Sequence, residues 1–187
     1  MTLFPFFEDL DNKTFLVVGS GPVARRKIET LSAFDARIVV VSPDADSAAL
    51  PVWKVLKKKF EDVDLTGGDY SADYVISATD DKELNRHIAE LCREEKIPVN
   101  IANDPEACTF LFPSVLKRGD LCIGITTGGK APAFDRYLRF LLEDTIPEDA
   151  ETVIDELYAL KNELKETETP QRERAKILND YLKERLP

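Results

Sequence analysis

The sequence predicts an α/β fold in which the strands of a parallel sheet alternate with helices, followed by a helical appendage. Two observations predict this class. Short apolar runs bounded by turn residues alternate with segments whose apolar residues recur at helical spacing. From residue 146 onward such runs disappear and a charged helical pattern takes over. The length of 187 residues suffices for one α/β domain with an appendage.

The predicted parallel sheet is built from apolar runs of about five residues each. Their ranges are 14–18, 37–41, 74–78 and 97–101. Each of the two predicted intervening helices carries apolar residues at helical spacing, namely Ala24, Ile28 and Leu31 in the first, and Leu84, Ile88 and Leu91 in the second. The short connections predict a β-α-β series.

The remaining elements follow the predicted sheet. A further apolar run, 121–125, precedes a small-residue turn, and Pro132 is well placed as the first residue of the next helix. Thr169 and Pro170 predict the cap and first position of a last helix. The charged helix before it carries one apolar stripe, formed by Val153, Leu157, Leu160 and Leu164.

Charge and composition exclude several classes of protein. The formal net charge is −10 and the pI is near 4.7, which argues against a nucleic-acid or anionic-membrane partner. Neither a signal peptide nor a membrane span is recognisable, so we expect a cytoplasmic protein. The spacing of the three cysteines and the single histidine, His87, fits neither a disulfide framework nor a metal site.

The strongest local motif is a GxGxxA sequence directly after the first predicted strand. It comprises Gly19, Ser20, Gly21, Pro22, Val23 and Ala24. In such turns the first glycine permits the tight bend, the second lets a pyrophosphate approach the backbone, and the helix that follows presents its N–H groups to the phosphates. The motif predicts a dinucleotide site, and a glycine turn without a ligand is the alternative.

The second predicted strand departs from the full dinucleotide fingerprint. An acidic residue is expected there to hold the ribose hydroxyls, but the strand ends in Ser42 and Pro43, and the first acid is Asp44. No Arg or Lys follows at once to bind a 2′-phosphate. The pattern therefore favours NAD over NADP.

Two later turns fall at the carboxyl edge of the predicted sheet, where ligands bind in open α/β folds. Thr79 and Asp80 are predicted to contact cofactor or substrate, whereas Asp81 could equally cap the next helix. Asn103 and Asp104 follow the fourth strand, and turn chemistry alone is the alternative for them.

Several residue groups, in this order, resemble the precorrin-2 dehydrogenase family, also known as the N-terminal region of sirohaem synthase. The resemblance covers about residues 3–145. The groups are Phe4-Pro5-Phe6-Phe7; Leu10; Leu16 to Ala24 with Arg26 and Lys27; Ala78 to Asp81 with Asn85; Asn100 to Pro105; Phe110 to Ser114; and Thr126 to Pro132.

The resemblance implies oxidation of precorrin-2 to sirohydrochlorin with NAD⁺ as hydride acceptor, and some members also insert Fe²⁺. It further implies a Rossmann-type domain over 1–113, a dimerisation segment over 114–145 and a small helical domain over 146–187. Members of the family form homodimers.

Site residues are carried over by position. The implied cofactor contacts are Gly19, Gly21, Pro22, Val23, Pro43 and Asp44. A family aspartate implicated in catalysis and chelation falls on Asn103, and Asp104 follows immediately. Because an amide cannot accept a proton as a carboxylate does, Asp104 is the candidate for the catalytic carboxylate.

A polycarboxylate substrate requires local cations in an acidic chain. We expect Lys130, Arg136 and Arg139 to bind it. For the two arginines, ion pairs with Asp135 and Glu143 are the alternative. For the protein as a whole, a non-catalytic tetrapyrrole- or nucleotide-binding protein and another kind of Rossmann protein are the alternatives.

Overall fold

The computed structural model describes residues 3–46 and 51–185 and contains a five-stranded parallel sheet in the order β3-β2-β1-β4-β5. This sheet confirms the predicted α/β class. Every neighbouring pair is parallel. The strands are β1 (Thr14–Val18), β2 (Arg37–Val41), β3 (Lys54–Leu56), β4 (Tyr74–Ser77) and β5 (Val99–Ile101).

Two helices, α1 (Pro22–Ser32) and α2 (Lys82–Glu94), are the crossovers β1-α1-β2 and β4-α2-β5 of this sheet. Alternation along β1 separates two apolar clusters: Leu16 and Val18 pack with α2, whereas Phe15 and Val17 pack with α1. The predicted contacts of α1 are confirmed, since Ala24, Ile28 and Leu31 are all buried. A sheet covered on both faces explains why its central strands are mostly apolar.

The order of the strands defines a switch point. From β1 the chain proceeds to β2 on one side, and later to β4 on the other side of β1. The loops after β1 and β4 therefore diverge and leave a crevice at the carboxyl edge, the usual ligand position in doubly wound folds.

Strand β3 was not predicted from the sequence. It has only three residues, all half-buried, and lies at the edge of the sheet. Its pairing with β2 continues one residue past the end of β2, because the Ser42 N–H donates to the Leu56 carbonyl at 3.1 Å. A short 3₁₀ helix, Asp62–Thr66, follows.

A second compact unit contains 113–127 and the chain from Ala131, whereas Gly128–Lys130 belong with the first. Strands β6 (Ser114–Arg118) and β7 (Leu121–Ile125) form an antiparallel hairpin outside the parallel sheet. The helices are α3 (Pro132–Thr145), α4 (Ala150–Glu166) and α5 (Gln171–Arg185).

The helices of the second unit agree with the sequence pattern. Helix α3 begins at Pro132 as predicted, and α5 begins at Gln171, one residue after the predicted start at Pro170. The Arg118 guanidinium donates to the carbonyls of Glu143 and Ile146 at the end of α3. The predicted division at residues 113 and 145 into three domains stays a prediction.

Within the described ranges, no helix has the length and hydropathy needed to cross a bilayer.

Candidate functional site

A cleft of about 730 Å³ lies in the first unit at the carboxyl ends of β1, β2 and β4. It is large enough for a cofactor or other small ligand. All the residues predicted to bind the cofactor line this cleft, namely Gly19, Ser20, Gly21, Pro22, Val23, Pro43, Asp44, Thr79 and Asp80. The structure thus brings together residues from three separate turns.

The two glycines of the motif lie in different surroundings. Gly19 has φ +106°, and an added Cβ would lie 2.5 Å from the Ala78 carbonyl oxygen. A Cβ on Gly21 would meet nothing within 4 Å. The fold therefore requires glycine at position 19, whereas at position 21 the space is open for a ligand.

The start of α1 is suited to bind an anion. Gly21 is the N-cap residue and supplies no side-chain cap, and Pro22 occupies the first turn. The N–H groups at this helix start thus donate no hydrogen bond to an N-cap side chain. A pyrophosphate group placed there would accept hydrogen bonds from these N–H groups and interact with the positive end of the helix dipole.

At the end of β2, hydroxyl groups occupy the place where a carboxylate was expected. The Ser20 and Ser42 hydroxyls lie 3.0 Å apart and link the glycine turn to β2. Asp44 is exposed and lines the same cleft. The carboxylate available to a ribose hydroxyl therefore lies two residues beyond Ser42.

The turn after β4 is held in place by side chains. Asp81 caps α2, because its carboxylate accepts hydrogen bonds at 3.0 Å from the N–H groups of Glu83 and Leu84. The Asn85 amide donates to the Thr79 carbonyl at 2.9 Å and accepts from the Thr79 hydroxyl at 2.7 Å. Of the two roles left open for Asp81, the structure shows the cap.

Several cleft residues were not predicted from the sequence. Arg25 reaches back from α1, while Lys59 and Phe60 come from the loop after β3. Because β3 was not predicted, nothing in the sequence placed Lys59 in the cleft. The position of Arg25 could have been predicted, because helical side chains lean toward the N-terminus and residue 25 lies in the first turn of α1.

Asn103 and Asp104 lie in the turn after β5 and are not among the residues lining the cleft. Asn103 has φ +63°, a conformation that asparagine tolerates better than most residues. Asp104 is exposed, and one of its carboxylate oxygens accepts a hydrogen bond from the Ala107 N–H at 3.2 Å. Their catalytic role stays a prediction, and turn chemistry accounts for both residue types.

Lys27 connects α1 to β5. Its ammonium donates to the Asn100 side-chain oxygen at 2.8 Å and lies 4.4 Å from the centre of the Phe112 ring. Burial lowers the pKa of Lys27 to about 8. Asn100 in turn donates to the Phe110 carbonyl at 3.0 Å. The sequence placed Lys27 in a motif without giving it a role.

The Cys108 thiol closes the turn that carries Asn103 and Asp104. It accepts from the Ile101 N–H at 3.1 Å and lies 3.2 Å from the Asp104 carbonyl oxygen, to which it donates. Burial raises the pKa of this thiol, so it stays protonated and serves as a donor.

The residues predicted to bind substrate are divided between the two units. Lys130 is exposed in the first unit, and Arg136 is exposed on α3 of the second. Arg139 forms an ion pair with Glu143, the alternative considered for it. The other alternative pair is absent from the described residues, since buried Asp135 instead accepts from the Thr127 hydroxyl at 3.3 Å. Substrate binding by these cations stays a prediction.

Comparisons with known proteins agree with this geometry. A family model described as "Putative NAD(P)-binding" matches residues 6–114. A protein named siroheme synthase from Thioalkalivibrio sulfidiphilus is 43% identical over 152 residues, which cover 79% of this chain and 30% of that protein. Siroheme synthase from Methylobacillus flagellatus is 39% identical over 79% of this chain and 32% of that protein. The chain thus spans about a third of the length of these curated relatives.

A solved structure described as "SirC, precorrin-2 dehydrogenase" shares the fold. Its TM-score is 0.72 at 22% sequence identity, and the match covers 95% of this chain and 88% of that chain. This likeness supports the architecture of sheet and helices described above.

Substitution of the two glycines separates ligand binding from folding. Gly21→Val fills open space in the cleft, so we expect it to abolish NAD⁺ binding while lowering stability by less than about 1 kcal/mol. Gly19→Ala places a Cβ against backbone, and we expect it to destabilise the protein by about 2 kcal/mol or more. Calorimetric titration with NAD⁺ and urea denaturation measure the two effects. Retained NAD⁺ affinity in Gly21→Val would contradict the assignment of the turn.

The lowered pKa of Lys27 makes stability depend on pH. Between about pH 8 and 10.5 the unfolded chain binds this proton while the folded chain does not, so stability rises with pH by at most about 1.4 kcal/mol per unit. The free energy of unfolding of the wild type, relative to Lys27→Met, should therefore increase from about pH 7 to about 9.5. Urea denaturation measures it, with the exposed Lys57→Met variant as control. A constant difference would show that Lys27 keeps an ordinary pKa.

Proposed function

Because this chain belongs to the NAD(P)-binding family whose model matches residues 6–114, we propose that it oxidises precorrin-2 to sirohydrochlorin with NAD⁺. The observation that carries the proposal is the cleft, in which residues from the turns after β1, β2 and β4 surround the uncapped start of α1. The likeness to proteins named siroheme synthase supports the choice of substrate.

The residues present fit a dinucleotide. Gly21 leaves space over the helix start, Ser42 and Asp44 offer polar groups to a ribose, and half-buried Phe60 offers an aromatic face. When bound, NAD⁺ supplies the hydride acceptor. The cleft residues position its nicotinamide and exclude part of the water around it.

Loss of hydride from a saturated carbon is accompanied by loss of a proton. In this proposal the Asp104 carboxylate accepts that proton, because it is exposed and the neighbouring Asn103 carries an amide. The exposed Lys130 of the first unit binds a carboxylate of the macrocycle in this proposal, which offsets repulsion by a chain of net charge −10.

The second unit supports a homodimer. Helix α3 exposes large apolar side chains, with Phe134 at 52%, Tyr137 at 59%, Phe140 at 51% and Leu141 at 49%. Contiguous apolar surface of this kind is typical of protein interfaces. We propose that the segment 114–145 pairs two copies, and that the protein acts in the cytoplasm without nucleic-acid or membrane partners.

A second candidate function is binding of a nucleotide or tetrapyrrole without catalysis. It is favoured by the position of Asn103 and Asp104, since neither lines the cleft. Iron insertion into the product is a further activity to be measured, with Fe²⁺ as a substrate.

Anaerobic incubation with precorrin-2 and NAD⁺, with and without Fe²⁺, tests the proposed reaction. We expect NADH and the absorbance of sirohydrochlorin to appear together. Asp104→Asn should lower turnover by about 100-fold, the usual scale of general acid–base catalysis, while Asn103→Asp should retain it. Glu106→Gln, an exposed change in the same turn, is the matched control.

Three results would revise the proposal. Binding of NAD⁺ and precorrin-2 without absorbance change would favour the non-catalytic function. Wild-type turnover in Asp104→Asn would remove this carboxylate from the mechanism. Absence of NAD⁺ binding would overturn the enzyme assignment altogether.

The proposed dimer is tested separately by its mass in solution. Phe140→Glu places a charge within the apolar face of α3 and should convert the dimer to a monomer in sedimentation velocity. Tyr158→Glu changes an aromatic residue on α4 that is 64% exposed and should leave the dimer intact. A wild-type monomer at micromolar concentration would contradict the interface.

A further inference from the structure

The cleft must bind phosphates in a protein with excess negative charge. Its lining contains the carboxylates of Asp44, Asp80 and Asp81, and the cations of Arg25 and Lys59. Asp81 is already engaged in capping α2. Because a dinucleotide brings two further negative charges, its binding depends on where the two cations lie.

Arg25 is anchored at the place where a pyrophosphate would lie. Its Nε donates to the Ser20 carbonyl oxygen at 3.0 Å, and its backbone N–H donates to the Gly21 carbonyl at 3.0 Å. Ser20 is held from its other side by the hydroxyl of Ser42. The half-buried guanidinium is thus fixed against the glycine turn, and little side-chain entropy remains to be lost on binding.

The anchoring uses only one nitrogen of the guanidinium. Among the described residues, neither terminal nitrogen of Arg25 has a hydrogen-bond or ion-pair partner. These nitrogens carry four N–H groups in a planar arrangement, which matches two oxygens of a phosphate. The neighbouring Arg26 is exposed and does not line the cleft.

We propose that Arg25 binds the pyrophosphate of the dinucleotide through its two terminal nitrogens, completing the site formed by the glycine turn and the start of α1. This inference rests on the NAD⁺ site of the proposed function, and not on the identity of the substrate oxidised. Arg25 contributes what the helix start alone lacks, a full positive charge close to the phosphates.

Lys59 provides the comparison that distinguishes a directed contact from general attraction. It lines the cleft from the loop after β3, but its side chain is exposed. Exposed charges contribute little to binding and are screened by salt. If the cleft attracted NAD⁺ only through its overall potential, the loss of either cation would have a similar effect.

Titration calorimetry with NAD⁺ on the full chain, without tetrapyrrole, tests the proposal. Arg25→Gln should raise the Kd for NAD⁺ by about 10- to 100-fold, the scale of a lost charge-assisted hydrogen bond. Lys59→Gln and Arg26→Gln should change it by less than about threefold. Arg25→Lys keeps the charge but loses the fork, and should lie between the wild type and Arg25→Gln.

Adenosine, which has no phosphate, separates the contact from a disturbed fold. Its affinity should be the same in Arg25→Gln and the wild type. Equal losses of NAD⁺ affinity in Arg25→Gln and Lys59→Gln would overturn the proposal, as would equal losses for NAD⁺ and adenosine. If NAD⁺ binding depends on Arg25 but precorrin-2 is not oxidised, only the proposed reaction fails.

Discussion

The close approach of two backbone turns determines the shape of the candidate site. Gly19 lies against the Ala78 carbonyl, at a distance that leaves no room for a side chain. Hydrogen bonds of 2.9 Å join Gly19 to Val41 and Ala78 to Val18, so the ends of β2, β1 and β4 are fixed side by side. Because Gly19 has no side chain, the turns after β1 and β4 can approach this closely. The loops that leave these strands then diverge, so the start of α1, the end of β2 and the turn after β4 surround one cleft.

The elements that could be predicted are those whose sequence pattern is compatible with one structure only. Strands β1, β2 and β4 are mostly apolar because both faces of the sheet are covered. The helical patterns between such runs in the chain imply parallel crossovers. The glycine motif could be located because a tight turn and an open approach each require the absence of a Cβ. Its two glycines meet those requirements separately, at positions 19 and 21.

What could not be predicted depends on contacts between distant segments. Strand β3 has three half-buried residues and takes its identity from pairing with β2, which no local pattern encodes. A prediction that lacks β3 cannot place Lys59 in the cleft. The charges that line the cleft were therefore predicted incompletely, because Lys59 joins the lining from the loop after β3.

The polar contact between Lys27 and Asn100 fixes the register of α1 and β5 in the first unit. Apolar residues at these positions would avoid the desolvation that lowers the pKa of Lys27. Hydrophobic packing is tolerant of small shifts, whereas a hydrogen bond of 2.8 Å is satisfied at one relative position of α1 and β5. Helix α1 begins with the glycine turn, and β5 leads into the turn of Asn103 and Asp104. The contact thus costs some desolvation of Lys27 and fixes the distance between the glycine turn and the turn that carries Asp104.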